Sequence, residues 1–263
     1  MQMGVNVPNF GPGTDPGMLR EWARVVEGLG YDLLVMSDHV VVTPDVGARY
    51  PEPFYEPFTT LSWLAGVTTT VRLGTTVLVL PYRHPLLVAR MANNLDRLSG
   101  GRLVLGVGVG WARQEFEALG VPFAARGRLT DDYLAALREA SEVPIWVGGN
   151  SDAAITRAVR FGLAWHPLRF TLPWLRTALA AHPVPALTPR IALRLTGQPV
   201  DDPGRLAGVG TLDQVLDDLD QIERLGAEAV ILDPYHGNPD DTRHPQQAWQ
   251  ALTVLATHRR KTS

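Results

Sequence analysis

Gly106-Val107-Gly108-Val109-Gly110-Trp111 is the stretch with the most to offer chemically. An apolar, β-branched run gives way to glycines spaced by two and closes on an aromatic ring. A strand whose carboxyl end lacks side chains lets something large lie against its backbone. A helix is predicted from about Ala112. Its first backbone N–H groups would face that opening, where an anion or a polarised ring edge is favoured. A tight strand-to-helix turn would need the same glycines for steric reasons alone. The spacing is G-x-G-x-G rather than the dinucleotide fingerprint, and no acidic residue ends a strand ~20 residues on.

Other candidates also follow apolar runs. Asp38-His39 closes one, and a histidine there is a proton donor near neutrality, although an ordinary loop pair would read the same. Gly148-Gly149-Asn150-Ser151 precedes a helix, as a phosphate grip or a simple cap would. Arg83-His84 could hold an anionic tail or face solvent. Thr75-Thr76 sits in a threonine-rich strand, and Trp111 and Trp165 could stack on a ligand or fill the core. Asn6, Asn9, His166, Arg194, Thr196, Asp233 and His236 stand near further strand ends.

Much chemistry is excluded. There is no cysteine, hence no disulfide, thiolate cluster or cysteine nucleophile, which suits a reducing, cytoplasmic setting. The histidines are scattered without H-E-x-x-H spacing, so no metal site is predicted. No G-x-S-x-G elbow and no nearby carboxylate pair stands out. A formal charge of −3 argues against nucleic acid as a partner. No apolar run approaches the ~18 residues of a membrane span, and the strand-like Met3–Val7 leaves no room for a signal peptide. A glycine-, threonine- and aromatic-rich set with few charges suits a broad planar ligand better than hydrolytic machinery.

The elements that must position these residues alternate along the chain. Strands are predicted at 4–7, 33–36, 72–80, the glycine stretch, 143–147, 163–165, 190–196 and 229–232. Helices follow each of them, punctuated by Pro16, Gly30, Pro85, Gly100 and the Thr211 cap. A Pro- and Tyr-rich excursion over Val40–Pro57 is long for a connection, and long loops in compact domains tend to be functional. Eight strand–helix units without a hairpin signal predict an all-parallel sheet with right-handed crossovers. At 263 residues, with 45% hydrophobic content, a single closed (β/α)8 barrel spanning 1–263 is favoured. Its ligand would bind at the carboxyl ends of the strands.

At these residues the chain resembles the bacterial luciferase-like monooxygenase family, and within it the branch that uses the deazaflavin F420. The resemblance is carried by Gly30-Tyr31-Asp32, Ser37-Asp38-His39, Leu73–Leu78 with Tyr82-Arg83-His84-Pro85, and Leu95–Arg102. It continues through Gly106–Trp111, Glu115-Phe116, Gly120–Phe123, Arg126-Gly127 and Pro144–Gly149, covering about residues 1–165. It implies a TIM barrel with deazaflavin, or alternatively FMN, at the strand ends. Asp38 and His39 would flank the ring, with His39 the active-site acid. A cis peptide at Thr76–Val77, beside Thr75, would form a bulge that backs the ring. Val109, Gly110 and Gln114 would line the ring and ribityl chain, with Gly108, Trp111 and Trp165 nearby, while Gly148, Gly149 and Asn150 would hold the phosphate. Arg83, Arg113 and Arg126 favour F420, whose tail is anionic. The expected activity is hydride transfer between F420 and an organic small molecule. The alternatives are an FMN-dependent monooxygenase fed by a separate reductase, and a cofactor-free barrel serving as a partner subunit. A homodimer is a family expectation. The sequence departs from the family in lacking a long excursion before strand five. It has Gly162-Leu163-Ala164-Trp165 in place of Gly-Asp-Gly-Trp. Trp111 stands where sugar-phosphate dehydrogenases of the branch carry glutamate.

Overall fold

Leu19, Trp22, Ala23 and Val26 recur at helical spacing, and all four are buried along one side of the helix Pro16–Gly28. Asp15 caps it by accepting a hydrogen bond from the Met18 amide, and Pro16 occupies the first turn, where a missing N–H costs nothing. The same logic starts the helix Pro85–Ser99 at a proline and ends it at left-handed Gly100. These observations come from a computed structural model that describes residues 1–262, with side chains through His258.

The strands are β1 (Gln2–Asn6), β2 (Leu33–Met36), β3 (Arg72–Val79), β4 (Leu103–Gly108), β5 (Ile145–Gly148), β6 (Ala164–His166), β7 (Arg190–Ala192), β8 (Arg194–Leu195), β9 (Val209–Gly210) and β10 (Ala229–Asp233). Eight of them form one sheet in the order β6-β5-β4-β3-β2-β1-β10-β7. Every pairing in it is parallel. The two ends approach each other through the bridges Trp165–Leu187 and Leu168–Arg190, and the Arg190 amide donates to the Pro167 carbonyl at 2.8 Å. The result is a nearly closed TIM barrel wrapped by helices.

Alternation along the strands separates two apolar layers. Leu34 and Met36 join the large cluster shared with the helices, whereas Leu33 and Val35 join Val104, Trp146, Ala229 and Ile231 in a small cluster in the lumen.

One predicted strand divides. The run 190–196 leaves the barrel after Ala192, because the Leu193 amide donates to Asp233 while the Arg194 amide turns to Gly208. Arg194–Leu195 then pairs with Val209–Gly210 in a separate two-stranded sheet. Gly208 permits the switch: a Cβ there would sit 1.7 Å from the Ala192 carbonyl oxygen. The excursion over Val40–Pro57 contains one short helix, Pro44–Gly47, and bridges back to β1's extension through Phe10 and Phe54. The connection before β5 is short, since the preceding helix ends at Ala140 and β5 begins at Ile145. No helix among the described residues is long and apolar enough to cross a membrane.

Candidate active site

The third strand makes the floor of the barrel mouth. Its pairing with β4 slips between Thr75 and Leu78, and a cis peptide joins Thr76 to Val77 within the slip. From Leu73 to Val79 every residue is buried except Val77, which is half-buried. Val77 also explains the glycines. A Cβ on Gly108 would lie 2.5 Å from Val77 Cγ2, and one on Gly148 would lie 2.6 Å from Val77 Cγ1. Gly106 is held bare by the Thr75 carbonyl, 2.2 Å from its would-be Cβ. The expectation of a bare glycine floor is therefore corrected: Val77 covers Gly108 and Gly148, and an apolar valine paves the surface a ring would meet. Val109, Gly110 and Gly149 are half-buried, while Trp111 is 42% exposed.

His39 stands beside Trp111. Its ring is 5.7 Å from the indole, nearly perpendicular, and 5.5 Å from the Tyr50 ring in a stacked arrangement, with Phe54 edge-on. Phe10 contacts Tyr50, Phe54 and Tyr235, so the excursion is pinned over the mouth by an aromatic cluster. Arg49 on that excursion lies over the Trp111 ring at 5.1 Å.

Beneath His39 is a carboxylate that the sequence reading did not place in the site. Glu115 Oε2 lies 2.7 Å from His39 Nδ1, and the Glu115 side chain is fully buried. The Val40 and Val41 amides donate to its Oε1 at 2.6 and 3.0 Å, and the Tyr82 hydroxyl donates to Oε2 at 2.9 Å. Burial alone would raise the Glu115 pKa. The His39 hydrogen bond and charge, helped by the two amides, overcome that and hold it below the usual carboxylate range. Burial and then the Glu115 charge push the Tyr82 hydroxyl up, so it remains a neutral donor. The available signal in the sequence was an acid beside Phe116, in the short helix directly after the glycine strand.

Seven predicted site residues are engaged by partners within the protein. Asp38, expected to flank the ring, is held by Arg83 through paired hydrogen bonds of 2.8 and 2.9 Å, and the Val79 amide adds a third. Arg83, expected to meet an anionic tail, is taken up by Asp38 and by Glu56 at 3.1 Å. Asn150, expected on a phosphate, instead pairs both ends of its amide with the Leu168 backbone, at 2.7 and 2.9 Å. Trp165 is wholly buried and donates its indole N–H to the Gly149 carbonyl, so it supports that loop from below. Gln114 is exposed, and its carbonyl accepts from the Asp45 amide at 3.4 Å. Thr75 donates to the Gly106 carbonyl, and Thr76 reaches His166 Nε2 at 2.8 Å.

Two cations gather on Phe123. The guanidinium carbons of Arg113 and Arg126 approach the single Phe123 ring at 4.4 and 3.9 Å. Among the described residues neither has a carboxylate partner; Arg126 Nη1 donates to the Phe123 carbonyl at 3.0 Å, while its Nε has no acceptor.

Below the floor the lumen is ionic. Asp233 is reached by Arg190 at 3.0 Å, Arg169 at 3.1 Å and the Asn6 amide at 3.1 Å. Arg190 also donates to the Thr76 carbonyl at 2.7 Å. Burial would raise the Asp233 pKa, but the two arginines outweigh it and hold the group low.

Comparison with known proteins places this geometry. The model of the luciferase-like monooxygenase family matches residues 1–143. An uncharacterized protein of Mycobacterium tuberculosis is 31% identical over an alignment of 175 residues that covers 52% of this chain and 61% of the relative. The chain thus spans less than two thirds of that relative's length. The monooxygenase RslO1 of Streptomyces bottropensis superposes with a TM-score of 0.74 at 18% identity, covering 98% of both chains. Two other solved structures each share 97% coverage in both directions. They are a coenzyme F420 dependent tetrahydromethanopterin reductase of Methanopyrus kandleri (TM-score 0.71, 13% identity) and the oxygenating constituent of a Pseudomonas putida diketocamphane monooxygenase in complex with FMN (0.70, 14%). At these identities the superpositions establish the fold.

Proposed function

The chain belongs to the luciferase-like monooxygenase family, and from that premise we propose that it is an F420-dependent oxidoreductase that moves a hydride between the deazaflavin and an organic small molecule. The observation that carries the choice of F420 over FMN is the pair of guanidiniums, Arg113 and Arg126, on Phe123. Arg113 follows Trp111 by two residues, Arg126 shares its ring, and neither has a carboxylate partner among the described residues, which leaves both charges for a long anionic chain.

The residues present suit a flat ring with an acidic tail. Half-buried Val77 offers an apolar floor, and half-buried Val109 and Gly110, directly after β4, offer an edge without a large side chain. The Gly148-Gly149 turn would approach the tail, with Gly149 at a φ of +123°, a conformation only glycine adopts freely. Trp111 supplies an exposed aromatic wall. Bound deazaflavin would supply the two-electron chemistry. The protein would hold the ring, exclude water with the Phe10, Tyr50 and Phe54 cluster, and give or take the accompanying proton at His39. Asp38 is an anchor in this reading: with Arg83 it fixes the turn that presents His39.

FMN remains the competing ligand, because a neighbour of the same fold is in complex with it; that reading would bring in a separate flavin reductase as partner. Titrating the purified protein with F420 and with FMN separates the two, each followed by fluorescence. Tighter binding of F420 is expected, weakened about 10-fold or more in Arg113→Ala through the loss of a charge-assisted contact. Tighter binding of FMN, or no response to F420, would overturn the proposal.

A further inference from the structure

We propose that Glu115 is a positioning residue that fixes the tautomer of His39, so that Nδ1 carries the permanent proton and Nε2 is the nitrogen that exchanges protons in the site. Four partners converge on this carboxylate. Val40 and Val41 amides meet Oε1, the Tyr82 hydroxyl meets Oε2, and His39 Nδ1 lies 2.7 Å from Oε2. A carboxylate has room for about four such partners and, when ionised, can only accept. Three of the four are obligate or strongly preferred donors. The fourth contact is therefore satisfied only if Nδ1 is also a donor, since a bare nitrogen facing a buried carboxylate would place two lone pairs against each other.

The surroundings keep the carboxylate ionised and the ring still. Glu115 lies on a helix, Arg113–Ala118, directly after the Trp111 turn, and is fully buried. Its pKa is held below the ordinary range, as noted above. His39 is gripped by Tyr50, Phe54 and Trp111, which oppose rotation of the imidazole. A free histidine offers a proton from either nitrogen; this one would offer it from Nε2 alone. The arrangement orients a base through its other nitrogen, as outer-shell carboxylates do for ligating and catalytic histidines. The role in catalysis rests on the reading of the site given above; the tautomer does not.

Nitrogen NMR on the 15N-labelled full chain, without cofactor and at alkaline pH, tests it. The His39 signals are assigned by their loss in His39→Gln. Wild type should show Nδ1 in the pyrrole-type range and Nε2 in the pyridine-type range. In Glu115→Gln the Val40 and Val41 amides retain the side-chain oxygen, so the new NH2 group points at His39 and the pattern should reverse. Tyr82→Phe should leave the wild-type pattern in place. A wild-type Nε2–H tautomer, or an unchanged pattern in Glu115→Gln, would overturn the proposal. Should Glu115→Gln not fold, the wild-type and Tyr82→Phe spectra still decide it. If F420 turnover is found, Glu115→Gln should lower kcat about 10²-fold or more with KM little changed. Absence of F420 binding with the expected tautomer would sink the F420 reading and leave this inference standing.

Discussion

Asp38 and His39 are neighbours in the chain with different tasks. Asp38 is fully enclosed and bound in a fork by Arg83, whose own side chain is 11% exposed. Removing one member of such a pair leaves the other buried and uncompensated, which costs about 3–5 kcal/mol. Arg83→Met is therefore expected to destabilise the fold by that order in urea unfolding, and Asp38→Asn added to it should recover part of the loss. A fall under 1 kcal/mol in the single variant would mean that the pair does not hold the turn. His39, by contrast, is held by one hydrogen bond and by rings, the arrangement of a group that must change its protonation without moving its neighbours.

At the scale of the element, β3 and the glycine-bearing strands β4 and β5 form one interlocking unit. Val77 occupies the space that side chains on Gly108 and Gly148 would need. Valine is stiff about its first torsion and cannot swing clear. Gly108→Ala should cost about 1–3 kcal/mol as an overpacking change, and much of that should return in the double variant with Val77→Ala, whose Cβ lies 3.5 Å from the added methyl. Gly106→Ala should not be rescued in the same way, since its obstacle is the Thr75 carbonyl. Equal thermal midpoints for Gly108→Ala with and without Val77→Ala would show that the two strands do not interlock there.

At the scale of the whole molecule, the lumen ties the barrel together across its width. Asn6 of β1, Thr76 of β3, His166 of β6, Arg190 of β7 and Asp233 of β10 are buried and joined by hydrogen bonds and ion pairs. His166 is the acid-sensitive member. Burial lowers its pKa to about 3, and the nearby Arg190 charge adds to that against the pull of the Thr188 carbonyl. Its folded value lies below its unfolded one, so the unfolded chain takes up the proton first as pH falls. Stability is thus complete above about pH 6.5 and is lost below it by up to ~1.4 kcal/mol per pH unit, toward pH 3. His236, also lowered chiefly by burial, adds a slope of the same sign. Asp233, held low, adds to the loss only as pH falls below its ordinary unfolded value of about 4. Urea unfolding across pH 4.5–7.5 measures this, and His166→Gln should flatten the profile. An equally steep profile in the variant would assign the acid sensitivity to other groups.

The sequence by itself determined the alternation of strands and helices, the starts and stops at Pro16, Pro85, Gly100 and Thr211, and the position of the cis bond. These are set by hydrophobic period, by local cap chemistry, and, for the cis bond, by family likeness, all of which act over a few residues or a motif. Only the tertiary structure decided who meets whom. Glu115 reaches His39 across 76 positions, Arg83 closes on Asp38 across 45, and Asn150 on Leu168 across 18. Val77 comes to lie over Gly148 although β4 separates their strands. Such partnerships depend on strand register and on how long loops fold over the mouth, and one residue of slip in a strand turns its side chains to the opposite face.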